Sequence, residues 1–377
     1  YKIVDGKKLR YGYTTGTCAA AAAKGATALL FGEDCGEVEI ATPSGKKLRL
    51  TLEDIRRDET APACAVRKDA GDDPDITDGI LVYASAEFHS AGTLIEGGEG
   101  VGRVTKPGLD APVGSAAINR IPRRMIQENV AEVCAKHGYT GGIRICIAIP
   151  GGSALAERTF NPRLGIAGGL SILGTTGIVE PMSDTAMIGS IRAELSVRRA
   201  AGEETALITP GNYGKAFLAG FEGAASLPPP IKCGNFIGDA IDLACAFGFE
   251  RVLVAGHIGK LIKLVTGNFN THSKYGDPRI MIFAAFAALT SPELKEGDTL
   301  MPQLFDCPTS EGAIAVLRNR ACWDDVLNRI LAGIQTQLDR RIHSEPIEIG
   351  AVLFSSGLGL LGCTEGAVRM LSGGRSL

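Results

Sequence analysis

The spacing of hydrophobic residues divides the chain into a part dominated by short strands and a part in which strands and helices alternate. Between positions 37 and 104, apolar and polar residues alternate in short runs, as at Val38 and Ile40 and again at Leu48 and Leu50. Alternation of this kind predicts strands with one buried face. We therefore expect a small, mainly antiparallel sheet in this region.

Helices are predicted on either side of these strands. A Thr-Gly turn leads into very small residues from about Cys18 to Leu30, and apolar residues recur at helical spacing over Ala116–His137, where Gly138 ends the pattern. A strand over Ile143–Ile149 and a glycine-rich apolar segment over Glu157–Ser183 follow. We expect an α+β domain, a mainly antiparallel sheet with helices, over residues 1–182.

Strand and helix patterns alternate over the rest of the chain. The expected strands cover 205–209, 252–255 and 347–354, and the expected helices begin near 184, 215, 235, 260, 279, 310 and 323. This alternation predicts a doubly wound α/β domain over residues 183–377.

The stretch Arg251–Ser273 is the most informative about function. It is predicted to form a strand, a tight turn at Gly256 and a helix, and ligands gather where the carboxyl end of such a strand meets the next helix. The turn holds His257 and Lys260, and Lys263 follows on the same helix face. Because a lysine in the first turn opposes the helix dipole, we expect something negatively charged to bind nearby.

Two further polar segments extend this candidate site. Gly211, Asn212 and Gly214 follow the predicted strand Thr205–Thr209, whose carboxyl end is expected beside that of the strand before His257. Short polar side chains come after the helix and suit hydrogen bonding to a polar ligand. They are Asn268, Asn270, Thr271, His272 and Ser273.

The turn before the first helix is a second candidate. Thr14, Thr15 and Thr17 place hydroxyl groups beside the free N–H groups of a helix, an arrangement that suits an anion or a polar ligand. The alternative is a well-capped helix packed tightly on a sheet, because the Ala-rich face that follows allows close approach of another backbone.

Basic residues elsewhere in the N-terminal part are candidates for binding carboxylates. Lys106 lies in a glycine-rich segment, and Arg123 and Arg124 lie where the second helix begins. The two arginines either form a clamp for a substrate carboxylate or belong to a solvated basic turn. The acidic segment Asp69–Asp78 suggests a metal-binding loop, but it lacks the glycine and glutamate of an EF-hand. Its Asp-Pro and Asp-Gly steps are typical of ordinary turns, and we favour that interpretation. No metal site is expected in the protein.

Composition narrows the class of protein. The chain has 377 residues with 45% hydrophobic residues and a net charge of -3, and no lysine or arginine run marks a nucleic-acid surface. No apolar stretch approaches the length of a membrane span. Its ten cysteines never form C-x-x-C and read as reduced core thiols. We expect a cytoplasmic, soluble protein that binds neither nucleic acid nor membrane and forms, at most, a homo-oligomer.

Several long strings resemble one known family and follow its order along the chain. They are Y-G-Y-T-T-G-T-C-A-A-A-A-A-K, G-E-G-V-G-R-V-T-K-P-G-L, A-I-N-R-I-P-R-R-M-I, the run from T-F-N-P-R-L-G to V-E-P-M-S, N-F-I-G-D-A, and G-H-I-G-K-L-I-K with N-T-H-S. Together they resemble the CbiD family, the cobalt-precorrin-5B (C-1)-methyltransferases of anaerobic cobalamin biosynthesis.

This resemblance implies a reaction and its two small molecules. A methyl group would pass from S-adenosylmethionine to ring carbon C-1 of a cobalt-containing corrinoid precursor, giving cobalt-precorrin-6A. Cobalt would arrive inside the substrate. The resemblance also implies an α+β domain followed by a Rossmann-like doubly wound α/β domain.

The implied chemistry suits the candidate residues. The macrocycle carries acetate and propionate groups, for which the basic residues and the polar turns are candidates: Thr14, Thr15, Thr17, Lys106, Arg123, Arg124, Lys260, Lys263, Asn270 and Ser273. The cofactor is expected at the strand ends of the second domain, with the candidates Gly211, Asn212, Gly214, Asn235 and Asp239. His257 and His272 are candidates for moving a proton, or else hydrogen-bond a carboxylate.

One position departs from the family pattern, and two other functions compete. Where the family has a glutamate after T-H-S, this chain has Met281, although Asp277 and Arg279 are kept. A nucleotide phosphotransferase would need a P-loop, which G-H-I-G-K does not complete, because Val254 and Leu261 stand at required Gly and Ser/Thr positions. A non-catalytic corrinoid carrier would use the same basic residues without binding S-adenosylmethionine.

Overall fold

The computed structural model describes residues 1–4, 6–211, 217, 227–290, 299–343 and 346–372. The chain forms two compact units, Tyr1–Asp184 and Thr185–Leu377. The described helices are Thr15–Leu30, Arg120–Lys136, Gly152–Ala156, Asp184–Ala200, Ile237–Ala246, Ile258–Leu261, Arg279–Thr290, Leu300–Phe305, Ser310–Asn319, Trp323–Ile342 and Glu365–Ser372. Short 3₁₀ helices cover Ile262–Thr266 and Ser273–Tyr275.

Unit 1 is built on a five-stranded sheet. Its strands, in spatial order, are β6 (Glu53–Arg56), β7 (Ala63–Arg67), β8 (Leu81–His89), β11 (Gly142–Ala148) and β9 (Thr93–Gly97). All neighbours are antiparallel except β9 and β11. Two-stranded ladders surround it: β1 (Lys2–Val4) with β2 (Lys7–Leu9), β3 (Gly12–Tyr13) with β13 (Ile178–Val179), β4 (Glu37–Ala41) with β5 (Lys47–Thr51), and β10 (Arg103–Val104) with β12 (Ile166–Ala167).

The Ala-rich helix Thr15–Leu30 lies at the centre of unit 1. Every side chain from Thr15 to Ala23 is buried, because the helix packs on the sheet and on the helix Arg120–Lys136 at the same time. Small side chains permit this double contact. An added Cβ at Gly25 would lie 2.6 Å from Leu52 Cδ1 and 2.9 Å from Cys64 Sγ, so a larger residue there would force these side chains to move.

Unit 2 contains a second five-stranded sheet, in which four strands are parallel. In spatial order it has β15 (Ile231–Lys232), β14 (Thr205–Thr209), β16 (Arg251–His257), β17 (Glu348–Ser355) and the antiparallel edge strand β18 (Gly359–Cys363). Alternate residues of β16 enter different cores, with Val252 and Val254 on one face and Leu253 and Ala255 on the other. Both faces of the sheet are therefore covered.

The observed elements follow most of the predicted ones in unit 2, with several differences. Gly256, where a tight turn was predicted, lies inside β16. The helix expected after Gly259 is one α turn followed by a 3₁₀ turn, which ends at Gly267 with φ of 73°. The strands β15 and β18 and the helices Leu300–Phe305 and Glu365–Ser372 had no predicted counterpart. The helix expected after residue 214 lies outside the described residues.

Candidate active site

A cavity opens at the carboxyl ends of β14, β16 and β17, where the parallel strands stop and their loops diverge. Its volume is about 400 Å³. The residues that line it are Pro210, Gly211, Gly256, His257, Gly259, Lys260, Arg279, Thr309, Ser310, Glu311, Phe354 and Ser356. This is the edge of the sheet at which open α/β folds bind their ligands. Asn212 and Gly214, also expected here, lie outside the described residues.

The turn after β16 brings His257 into this cavity. The ring caps the next helix, since Nδ1 accepts a hydrogen bond of 3.1 Å from the N–H of Gly259. A nitrogen that accepts carries no proton, so the proton of the neutral ring is on Nε2. Nε2 lies 3.4 Å from Glu311 Oε1. In this arrangement His257 is suited to donating a hydrogen bond from Nε2.

Glu311 is the carboxylate of the cavity. It accepts a hydrogen bond of 2.9 Å from Ser355 Oγ, and His257 lies on the same oxygen. The hydrogen bond from Ser355, followed by the influence of His257, holds the pKa of Glu311 below its usual value. Glu311 is therefore ionised near neutral pH and presents a fixed negative charge beside the strand ends.

Lys260 connects a loop that lines the cavity to a neighbouring segment that does not. Its Nζ donates to the carbonyl oxygen of Pro210 at 2.8 Å and to Asn235 Oδ1 at 3.0 Å. Partial burial lowers the pKa of Lys260. The ammonium group thus joins the end of β14 to the segment before the helix Ile237–Ala246, while the side chain still lines the cavity.

Lys263 is almost fully buried, with 4% of its surface exposed. Its Nζ donates to the carbonyl oxygens of Thr271 and Gly276, at 3.3 Å each, and lies 3.8 Å from Asp277. All these partners belong to the polar segment that follows the helix. Lys263 therefore holds that segment in place and does not line the cavity.

The polar residues after the helix form a network of their own. Asn235 accepts from Thr271 Oγ1 at 3.3 Å, and Asn270 pairs with Phe236 in an isolated bridge. His272 is exposed and caps a 3₁₀ turn, its Nδ1 accepting from Lys274 N at 3.1 Å. Ser273 is also exposed, and Asp239 lies half-buried in the first turn of the helix Ile237–Ala246. None of these residues lines the cavity.

In unit 1, the turn before the Ala-rich helix binds the protein's own backbone. Thr17 Oγ1 donates to the carbonyl oxygen of Gly177 at 2.7 Å, and Thr15 Oγ1 accepts from Leu173 N at 3.0 Å. Thr14 caps the helix through the N–H of Thr17. The glycine-rich segment that precedes the domain boundary thus occupies the place predicted for a ligand.

The basic candidates of unit 1 divide into buried and exposed side chains. Arg123 is half-buried and donates to the carbonyl oxygens of Ile118, Ile95 and Ala116, and burial lowers its pKa. Arg124 and Lys106 are exposed, and Arg124 has only Glu128 at 3.7 Å as a charged partner among the described residues. Only these two remain available at the surface to bind a ligand.

Comparisons with known proteins agree over most of the chain. The family model described as CbiD matches residues 2–181, and the model described as CbiD, C-terminal domain, matches residues 270–365. A Ruminiclostridium cellulolyticum protein named cobalt-precorrin-5B C(1)-methyltransferase is 44% identical over 354 residues, which are 94% of this chain and 91% of that protein. An Alkaliphilus metalliredigens protein of the same name is 43% identical over 98% of this chain and 96% of its own length. The chain belongs to the CbiD family.

One solved structure is also similar to this CbiD chain in sequence. It is a crystal structure of a cobalamin biosynthesis protein (cbiD) from Archaeoglobus fulgidus, which is 28% identical and covers 72% of this chain and 86% of that chain, with a TM-score of 0.39.

Sequence reasoning missed the wall of the cavity that comes from later in the chain. Ser310, Glu311 and Ser356 line it and lie far from His257 in sequence, and nothing in their local pattern marks them. Arg279 had a signal, because it and Asp277 match the CbiD pattern in a segment where Met281 departs from it. Its neighbour Met281 is exposed and does not line the cavity.

Proposed function

We propose that this chain is an S-adenosylmethionine-dependent methyltransferase that methylates ring carbon C-1 of cobalt-precorrin-5B to give cobalt-precorrin-6A in the anaerobic route to cobalamin. The observation that carries the proposal is the identity of 44% over 94% of the chain with a protein named for this activity. Relatives from Thermoanaerobacter and Treponema denticola bear the same name, at 47% and 39% identity.

The residues of the strand-end cavity fit the proposed cofactor. A volume of about 400 Å³ falls within the usual range for small-molecule sites. Its wall combines the apolar ring of Phe354, the carboxylate of Glu311, and the hydroxyl of Ser310, which is buried and has no hydrogen-bond partner among the described residues. Cobalt belongs to the substrate, and within the described residues no cluster of His, Cys, Asp or Glu suits a protein metal site.

Methyl transfer from a sulfonium does not require a nucleophilic side chain of the protein. S-adenosylmethionine would supply a methyl group on a positively charged sulfur, and the ring carbon would supply the electron pair of the new bond. The bond between sulfur and methyl would break, its electron pair staying on sulfur, and neutral S-adenosylhomocysteine would leave. The protein has to hold both molecules in line and exclude water. We assign His257 a hydrogen-bonding role, because the Gly259 N–H occupies the nitrogen that would take up a proton. The exposed Lys106 and Arg124 remain candidates for the substrate carboxylates.

The finer architecture is part of the same proposal. We infer that residues 183–377 form a Rossmann-like doubly wound domain, supported by the four parallel strands and the packing on both faces of their sheet. The boundary after residue 182 is supported by the family match that ends at residue 181. A cytoplasmic location and a homo-oligomer stay predictions. Among the described residues, no helix is long and apolar enough to span a membrane.

Calorimetric titration with S-adenosylhomocysteine tests the proposal. We expect saturable one-site binding by the native protein and weakened binding by Gly211→Val. Gly211 lines the cavity and a Cβ there meets no atom within 4 Å, so the valine side chain would not disturb the fold but would occupy space needed by the ligand. Gly189→Val is the matched control, because Gly189 is equally open and lies on a helix away from the cavity. Loss of binding only with Gly211→Val would support the cofactor site.

Two other outcomes would count against the proposal. Binding that Gly211→Val leaves unchanged would keep the reaction but place the cofactor elsewhere in the protein. No binding of S-adenosylhomocysteine, with or without a corrinoid present, would favour a corrinoid carrier. Transfer of a labelled methyl group from S-adenosylmethionine to the corrinoid is the direct test of the reaction.

A further inference from the structure

The cavity wall contains a buried hydroxyl group without a partner. Ser310 is 3% exposed, and its Oγ has no hydrogen bond among the described residues. A hydroxyl group removed from water without a hydrogen bond costs free energy, so proteins seldom keep one without a use. Because Ser310 also lines the cavity, a ligand is well placed to supply the missing partner.

Ser310 is the first residue of a ten-residue helix, Ser310–Asn319, whose amino end faces the same cavity. Thr309 caps this helix, its Oγ1 accepting from Gly312 N at 3.1 Å and its carbonyl oxygen from Ala313 N at 3.2 Å. Within the described residues the N–H groups of Ser310 and Glu311 have no such acceptor. Free N–H groups at the positive end of a helix dipole favour a negatively charged group.

Arg279 adds a positive charge at the same place. Its Nε and Nη2 are held by Asp277, at 2.6 Å and 2.5 Å. A Cβ added to Gly259 would lie 3.5 Å from Ser310 Oγ and 3.7 Å from Arg279 Nη1. The hydroxyl and the guanidinium group therefore converge on one space, which the missing side chain of Gly259 leaves open.

Glu311 determines what kind of anion fits. Its carboxylate is fixed by Ser355 and lies beside this space, so an acetate or propionate of a corrinoid would be repelled by it. An α-amino acid end carries a carboxylate and an ammonium group on one carbon. The carboxylate of such an end matches the positive groups of the site, and its ammonium group matches the neighbouring Glu311.

We propose that Ser310, Arg279 and the amino end of the helix Ser310–Asn319 bind the carboxylate of the amino-acid end of the methyl donor, while Glu311 faces its ammonium group. This assignment rests on the proposed function, and it names the residues that recognise the cofactor. It also places the donor's amino-acid end between His257 and the helix, at the carboxyl end of β16.

The test compares two ligands that differ only in this end of the molecule. S-adenosylhomocysteine carries the amino-acid end, and 5′-methylthioadenosine lacks it. We expect Ser310→Ala to lower the affinity for S-adenosylhomocysteine about tenfold, as for loss of a hydrogen bond to a charged group. The affinity for 5′-methylthioadenosine should not change. The melting temperature of Ser310→Ala should not fall, because the hydroxyl has no partner to lose. Ser190→Ala, which removes an exposed hydroxyl bonded to Ala186 in the same unit, should change neither affinity.

Glu311→Gln gives a second variant that keeps the shape and removes the charge. It should lower the affinity for S-adenosylhomocysteine and leave the affinity for 5′-methylthioadenosine unchanged. Equal weakening of both ligands by either variant would overturn the assignment, because the adenosine end would then lie here. So would unchanged S-adenosylhomocysteine affinity combined with weaker corrinoid binding, since the bound carboxylate would be the substrate's. Both results leave the methyltransferase standing, whereas no binding of S-adenosylhomocysteine even with corrinoid present would overturn the methyltransferase itself.

Discussion

At the scale of single residues, the hydrogen bonds of Lys260 join two loops that local sequence does not connect. Replacing it by methionine in Lys260→Met removes the donor to the Pro210 carbonyl and to Asn235. Asn235 Oδ1 still accepts from Thr271 Oγ1, but the Pro210 carbonyl is left without a donor among the described residues. We expect the free energy of unfolding to fall by about 1–3 kcal/mol, the cost of leaving such an acceptor unsatisfied. Urea unfolding measures this change.

The control for that variant is an exposed lysine in an ion pair. Lys47 lies 3.2 Å from Glu39 on the surface of β5, with 74% of its side chain exposed. Lys47→Met should change the free energy of unfolding by less than about 1 kcal/mol, since exposed ion pairs contribute little. Equal effects of the two variants would mean that Lys260 does not hold the loops together.

The hydrogen bond between Ser355 and Glu311 should make stability depend on pH. It contributes to holding the pKa of Glu311 below the unfolded value, so its stabilisation is present above that unfolded value and is lost as the pH falls through the lowered one. Ser355→Ala should therefore cost more stability near pH 7 than near pH 3. In a Glu311→Gln background, Ser355→Ala should lower the free energy of unfolding by the same amount near pH 7 and near pH 3. Urea unfolding at the two pH values measures this.

At the scale of elements, the Ala-rich helix is held at its amino end by threonine hydroxyls. Thr17 Oγ1 donates to the carbonyl oxygen of Gly177 at 2.7 Å, and the side chain is fully buried. Thr17→Val keeps the shape and removes this donor, while the Gly177 carbonyl still accepts from the N–H of Thr14. We therefore expect a loss of about 0.5–1.5 kcal/mol in the free energy of unfolding, the net contribution of one hydrogen bond. Corrinoid affinity of the folded variant should not change. A selective loss of corrinoid affinity, without a loss of stability, would instead return Thr17 to the substrate site.

A second element contact depends on glycine where the helix Glu365–Ser372 crosses β17. A Cβ added to Gly350 would lie 2.1 Å from the backbone nitrogen of Ala367, a clash that side-chain movement cannot relieve. Gly350→Ala should lower the melting temperature strongly, with a cost of about 1–3 kcal/mol or more. Gly357→Ala is the control, because a Cβ there meets nothing within 4 Å. Similar melting temperatures for the two variants would contradict the close contact.

At the scale of the whole molecule, the thiols report on the integrity of both units. All ten cysteines are free, and burial raises the pKa of Cys18, Cys64 and Cys233 to about 12. The thiolate is the reactive form, so these three should resist alkylation at about pH 8 until the protein unfolds. Mass spectrometry of the labelled peptides measures this. Labelling of Cys18 with Cys233 protected would show that unit 1 opens independently of unit 2.

The sequence determined most of the elements and the first half of the cavity. Strand Thr205–Thr209 and helix Trp323–Ile342 occur where their patterns predict them, because the periodicity of buried positions is a local property. His257, Lys260 and Gly211 line the cavity because they lie at or just after the carboxyl end of a parallel strand, which is the edge where open α/β sheets bind ligands. Family membership also followed from ordered strings of residues alone.

Only the tertiary structure decided which polar groups have partners within the protein. Thr17, Lys263, Arg123 and Lys260 are equally polar in sequence, and the fold gives each of them a backbone carbonyl oxygen to bind. Of these four, Lys260 alone also lines the cavity. It likewise brings Ser310 and Glu311 to His257 across more than fifty intervening positions. Hydrogen-bond satisfaction and burial depend on contacts between segments distant along the chain, and no local pattern encodes them.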